Sequence, residues 1–462
     1  MSIDERSEEV TSGGRQAVVR IGVMIFVGLA ASSAYLTRHC IAVANTSIQA
    51  DLSLSDEQMG WVLGAFSAGY FIFQIPGGWL GNRIGSRAAF PLISTLWSLF
   101  TLWTAASMSY ASMLASRAVF GAAQAGLVPL SAKVINDWFP VNWRGVCSGV
   151  VGASMSIGGV ITMGLTAELM LHYDWREVFR GYSLVGIVWA IAFYLFFRTL
   201  PEEHPWMRAA RDDSPDRDIG SERGPTADDV KTESVAAELS SGEVFLHMIG
   251  SLTFWGINVQ SFFRAAGYGL LVTWLPAFLE YRFGVSNDEA GKYTMYPLAG
   301  VILGSLSGGL LIDAILKLTG NKWISRSGVA FVSLGVCGVL MLAASQAAAA
   351  TMFVVLMAAA SYFSGLASPP AWAATMDVAG RYTSVVVGAM NMAGTVGAFM
   401  MPIVLGYMIG DIKETGGDWN LVIYFVAAIY LLGSACWLAV NPNDAPPGEA
   451  VGSLGTENSR QS

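Results

Sequence analysis

Gly78-Trp79-Leu80-Gly81-Asn82-Arg83-Ile84-Gly85-Ser86-Arg87 is the stretch on which the fold is read. An apolar run ends in closely spaced glycines, two arginines follow, and a second apolar run starts at once. Basic residues in a short loop between two stretches long enough to cross a bilayer mark a cytoplasmic turn, since positive charge is retained on that side. The chain on both sides of the turn is therefore read as membrane-spanning.

Composition agrees over the whole length. The 462 residues are 53% hydrophobic and only 13% charged, against about 25% charged in soluble domains. A helical span takes about 20 mostly apolar residues. Twelve are expected, centred near Ala30, Gly69, Ser98, Ala123, Ser156, Val188, Ala266, Gly304, Val336, Ala360, Gly397 and Ile429. The first apolar run follows Arg15 and Arg20 and continues to Ile41, too long for a signal-peptide core, so it reads as a retained span. The net charge of −8 comes largely from soluble ends and loops, such as Asp212, Asp213, Asp228 and Asp229, and says little about a ligand.

Lys and Arg set the orientation. With the N-terminus inside, Arg83, Arg87, Arg144, Arg198, Lys317, Lys322, Arg326 and Arg381 fall on one side, while the opposite loops hold few basic residues. Both termini are expected in the cytoplasm of a multi-pass protein of the cell's inner membrane. A polar stretch from Thr199 to Glu243, carrying Pro201, Pro205, Pro215 and Pro225, reads as a largely disordered cytoplasmic linker. The expected organisation is a tail (1–19), a six-helix bundle (20–198), the linker (199–243), a second bundle (244–441) and a tail (442–462).

The two halves carry matching features. Gly78 to Asn82 ends the second span as Gly309 to Asp313 ends the eighth, and Gly152-Ala153 with Gly158 recurs as Gly388-Ala389 with Gly394. With the central linker, this favours duplication. An all-α membrane protein of two pseudo-symmetric bundles rocking about a midplane site is a common plan among secondary transporters. Gly300, Gly304 and Gly308 form a small-residue stripe that fits close helix contact better than ligand binding.

Arg38, Arg117 and Arg264 lie inside apolar stretches, where a charge is costly and marks a candidate site. Guanidinium groups bind carboxylate or phosphate through two parallel hydrogen bonds, so three of them point to an anion. Helical spacing supplies companions: Tyr35, Arg38, Ala42 and Asn45 on one face; Arg117, Gly121, Gln124 and Val128 on another; Gln260, Arg264 and Tyr268 on a third. Tyr362, Ser364, Trp372, Asn391 and Thr395 could add polar contacts from the second half, although aromatic residues in spans more often pack. Arg117 has the alternative of anchoring a helix through backbone carbonyls. The four cysteines and four histidines lack metal-ligand or catalytic spacing, so neither an enzyme, a metal, a cofactor nor a nucleic-acid partner is expected.

The opening stretch resembles the loop between the second and third spans of the major facilitator superfamily. There an Asp stands where this chain has Asn82 and joins a cytoplasmic charge lock, so the resemblance implies a gate around Asn82, Arg83, Gly85, Arg87 and Asp313 that lacks one carboxylate. Tyr35-Leu36-Thr37-Arg38, Arg117 to Gln124, Trp138-Phe139-Pro140 with Arg144, Trp274-Leu275-Pro276 and Asn391 to Pro402 resemble the anion:cation symporter family. That family includes sugar-acid permeases, sialin and vesicular glutamate transporters. The resemblance implies that Arg38 and Arg117 line a substrate cavity, that Arg264 joins them, and that a monomer carries a small organic anion, such as a sugar acid, by alternating access.

Many proton-coupled members place an Asp before the first arginine and a Glu seven residues after the second, where this chain has Thr37 and Gln124. Neither titrates near neutral pH. Coupling to a proton, to sodium or to a counter-anion stays open, with His39 and Glu168 as the titratable candidates. His39 has the alternative of packing against a neighbour, since adjacent helical residues point about 100° apart, and Glu168 of being interfacial. An organophosphate:phosphate exchanger, which shares the Tyr-x-x-Arg of Tyr35 to Arg38, and a non-transporting anion sensor are the competing readings.

Overall fold

A computed structural model gives the protein at residues 3–207, 249–379 and 383–444. Side chains before Gln16 and at a few helix positions, among them Asn82 and Arg144, lie outside that description, as do most of the linker and the C-terminal tail. Among the described residues, twelve helices have membrane-crossing length: α1 (Ile3–Val43), α2 (Asp56–Ile84), α3 (Ser86–Ala106), α4 (Tyr110–Trp138), α5 (Val141–Leu169), α6 (Trp175–Phe196), α7 (Leu252–Phe283), α8 (Asn287–Thr319), α9 (Ile324–Ser345), α10 (Ala350–Val378), α11 (Thr383–Thr415) and α12 (Asn420–Ala439). Eleven are also apolar enough to span by composition. The exception is α2, which starts at Asp56 and Glu57 and has Arg83 in its last turn.

Helix ends follow local chemistry. Ser55 accepts from the Gln58 amide at 3.2 Å while Gln58 returns its side-chain oxygen to the Ser55 N–H at 3.1 Å, a reciprocal cap that starts α2. Asp174 accepts from the Glu177 N–H at 2.7 Å and starts α6. A π-turn at Leu270–Trp274 interrupts α7 shortly before Pro276. The described helix α1 runs through much of the segment assigned to the N-terminal tail. The linker is not loose at its start: Pro201–Glu203 forms a short turn, and the His204 ring is buried against Trp138 and Phe196. Burial, then the nearby Arg198, hold that imidazole below its ordinary range.

Packing repeats between the halves. α1 lies against α5, α2 against α4 and α3 against α6; in the second half α7 lies against α11, α8 against α10 and α9 against α12. The halves meet where α2 packs on α11 and α5 on α8, contacts that exchange under the same correspondence. The matched glycines carry this to the atomic level. A Cβ at Gly158 would meet the Ser32 backbone and one at Gly394 would meet Ser261. Ser32 Oγ donates to the Ser154 carbonyl at 2.9 Å, and Ser261 Oγ donates to the Met390 carbonyl, also at 2.9 Å. Ser154 and Met390 each stand one turn before their glycine, so one side-chain contact occurs in both halves.

Glycine also sets how closely helices approach. A Cβ at Gly69 of α2 would overlap the Ala118 carbonyl oxygen of α4, and one at Gly304 of α8 would overlap the Tyr362 carbonyl oxygen of α10. These are equivalent crossings. The stripe of Gly300, Gly304 and Gly308 faces α10 along its length, as its spacing predicted.

Candidate functional site

Two arginines meet at the centre of the molecule. A cavity of about 90 Å³ is lined by Tyr35, Arg38 and His39 of α1, Phe66 and Ser67 of α2, Arg117 of α4, and Tyr268 and Thr273 of α7, with Ala398 of α11 closing it. A smaller space of about 20 Å³ adjoins it through Tyr35, His39 and Tyr268. Both halves contribute, as a midplane site between repeats requires.

The cationic groups are held by aromatic faces rather than by acids. Arg38 lies over the Phe66 ring at 4.2 Å and near Tyr35 and Tyr70 at 5.4 and 5.5 Å. Arg117 lies over Phe120 at 4.7 Å and reaches the same Phe66 at 5.7 Å. A ring quadrupole holds a guanidinium without neutralising it, so the charge stays available to a ligand. Arg117 donates from Nη2 to the Arg38 carbonyl at 3.2 Å, while its Nε is buried without a partner. It therefore does part of the anchoring weighed above and keeps a free donor.

Thr37 and Gln124 bond to one another. Gln124 Nε2 donates to Thr37 Oγ1 at 3.2 Å and to the Ala34 carbonyl at 2.9 Å, clamping α4 to α1 behind the cavity. Gln124 is thus a neutral clamp and not a lining residue. His39 lines both spaces, 5.3 Å from the Tyr35 ring.

Other expected residues lie elsewhere. Arg264 and Gln260 do not line the cavity; Arg264 Nε and Gln260 Oε1 are buried without partners on the stripe that leads to Tyr268. Asn45 is a correction. α1 stops at Val43, and Asn45 opens a separate short helix, Asn45–Leu52, where it accepts from Gln49 at 2.8 Å. Asn45 is absent from the cavity lining. Asn391 is absent from the lining; its carbonyl accepts from Thr395. Tyr362 and Ser364 bond to Ser307 and Tyr430 respectively.

Side-chain links between the halves cluster where α1 ends and α2 begins. Thr46 donates to Glu280 Oε2 at 2.9 Å, and Asn287 donates to Glu280 Oε1 at 2.9 Å and to the Val43 carbonyl at 2.8 Å. Lys413 pairs with Asp56 at 2.9 Å and Lys292 with Glu168 at 3.0 Å. Glu168 is therefore part of this closed end and not of the cavity. The residues expected to gate lie at the other end: Arg83 stacks on Trp79, Arg87 on Tyr194, Gly85 takes φ 77°, and Asp313 is exposed. Asn82's side chain lies outside the described residues.

Sequence reading missed Phe66, which nothing in the pattern marks, and Glu280, which an acid at the end of an apolar run could have flagged. Glu280→Ala removes the acceptor for both Thr46 and Asn287. In a protein with its four cysteines replaced, this change is expected to speed labelling of a cysteine placed at cavity residue Leu63 by an impermeant thiol reagent, several-fold and from the α1 C-terminal side. Unchanged labelling would count against a latch.

The family described as Major Facilitator Superfamily matches residues 27–402 and 261–458. A probable sulfoacetate transporter of Cupriavidus necator is 28% identical over 88% of this chain and 91% of that protein. A hexuronate transporter of Bacillus subtilis is 28% identical over 82% and 83%. A probable galactarate/D-glucarate transporter of Escherichia coli is 24% identical over 95% and 97%. Among solved structures, an inward-facing, unoccupied bacterial homolog of the human lysosomal transporter Spinster superposes with a TM-score of 0.70 at 20% identity, over 91% of this chain and 95% of that one.

Proposed function

This chain belongs to the major facilitator superfamily, and from that premise we propose that it is a secondary transporter moving a small organic anion, a carboxylate of the sugar-acid or sulfo-acid type, by alternating access. The carrying observation is a central cavity with Arg38 and Arg117 in its wall and no acidic residue among those lining it. The relatives named for hexuronate, galactarate/D-glucarate and sulfoacetate transport support the substrate class.

With the N-terminus cytoplasmic, the end held by Glu280 faces outward, and the structure is a state closed to the outside. Coupling does not run through Thr37 and Gln124, which bond each other and carry no titratable group. His39, in the cavity wall, is the residue to test for a proton-coupled mode; exchange against a counter-anion needs no titratable group. Glu168, the other candidate, pairs with Lys292 at the closed end and not at the cavity.

The test is uptake into proteoliposomes under separately imposed proton, sodium and counter-substrate gradients, preceded by a thermal-shift screen of organic acids and phosphate esters. A ligand that binds only the folded state raises stability with the logarithm of its concentration over Kd. Stabilisation and uptake of a carboxylate are the expected result. Stabilisation by phosphate esters alone would favour the organophosphate reading, and binding without uptake would favour a sensor. Loss of proton-driven uptake in His39→Gln, with exchange retained, would assign the proton path.

A further inference from the structure

The charge balance of the cavity narrows the substrate. Its wall contains Arg38 and Arg117 but neither Asp nor Glu. Aromatic faces and a backbone carbonyl contact the two guanidinium groups, and the amide–hydroxyl pair of Gln124 and Thr37 behind the cavity is neutral. None of these carries a negative charge. Arg117 Nε, and Arg264 Nε further along α7, are buried and unpartnered. Removing a cation from water without a counter-charge is strongly unfavourable, and the cost is recovered only when an opposite charge arrives with good geometry.

Thr37, which precedes Arg38, and Gln124, seven residues after Arg117, are both neutral. A singly charged anion would leave one guanidinium of the Arg38–Arg117 pair uncompensated. We infer that the preferred substrate is a dianion, a small molecule with two negative groups such as a dicarboxylate or a sulfocarboxylate, so that both charges absent from the wall enter with the ligand. This rests on the anion-transport reading and specifies its substrate.

The experiment uses the full purified chain and two pairs of acids, each differing by one carboxylate replaced with hydroxymethyl: sulfoacetate against isethionate, and glucarate against gluconate. Affinity is read by thermal shift and by competition for uptake. The dianion of at least one pair is expected to bind at least about tenfold tighter than its monoanionic partner. Gln124→Glu introduces a negative charge behind the wall, against Thr37, and is expected to shrink that ratio about tenfold, weakening the dianion and strengthening the monoanion. A purely structural lesion would weaken both alike. Gln124→Leu, which loses the same clamp without adding charge, measures that lesion, and Thr37→Asp is the second charged variant should Gln124→Glu not fold.

Equal affinities within both pairs, or equal weakening of both members by each charged variant, overturns the dianion assignment while leaving anion transport standing. If no anion of either charge binds or is carried, the site reading itself fails, and the two failures are thereby distinct.

Discussion

Arg38→Lys is expected to reduce substrate uptake by about a hundredfold although the positive charge is kept, and Arg38→Ala by at least as much. The reason is geometric. The Arg38 guanidinium carbon lies 4.2 Å from the Phe66 ring centre, and Arg38 lines the cavity. A lysine ammonium is a compact, strongly hydrated point charge that can neither stack in this way nor offer two parallel donors to one carboxylate. Losing a charge-assisted pair of hydrogen bonds costs roughly 1.5–3 kcal/mol, which is one to two orders of magnitude in affinity.

Arg117→Ala should be as damaging and less clean, since its Nη2 also holds the Arg38 carbonyl. Uptake into proteoliposomes together with substrate-induced thermal shift checks both, on protein that elutes as a single species. Uptake and affinity like wild type in Arg38→Ala and Arg117→Ala would remove the central anion site.

The second large effect is on folding. Gly304→Val and Gly69→Val are each expected to cut the yield of monodisperse protein severely, because the added Cβ overlaps a backbone carbonyl of the facing helix, Tyr362 in one half and Ala118 in the other. A backbone atom cannot rotate away as a side chain can, so the helices must separate. Overpacking of this kind costs about 1–3 kcal/mol or more. Gly309→Ala is the control, since nothing lies within 4 Å of its added Cβ. Size-exclusion profiles and melting temperatures in detergent decide the matter; equal behaviour of all three variants would show that the crossings tolerate widening.

Much of this was readable from the chain. Span positions follow from apolar run length, and the halves from Gly158 and Gly394. Arg38 and Arg117 stand out as charges in apolar stretches, and both line one cavity. What escaped depended on pairings between distant segments or on irregular backbone. The bond from Gln124 to Thr37 joins residues on different helices, and no periodicity reports it. Helical spacing from Tyr35 to Asn45 assumes an unbroken helix, whereas α1 ends at Val43 and Asn45 opens a separate one. The pairing of Glu168 with Lys292 likewise joins the two halves, across residues far apart in sequence.

The π-turn at Leu270–Trp274 has a mechanical consequence. A π-turn adds one residue to an α-helical turn, which rotates everything beyond it by about 100° relative to an uninterrupted helix. In α7 it lies between Tyr268, facing the anion cavity, and Glu280, which holds the halves together. Thr273, within the turn, lines the cavity, and Trp274 donates to the Pro402 carbonyl of α11 at 2.9 Å. The phase between the ligand-facing and latch-facing sides of one rod is thus set by a single inserted residue. α7 acts as a geared shaft whose two ends are indexed to each other, so any slip of that turn would re-aim the latch in step with the cavity wall.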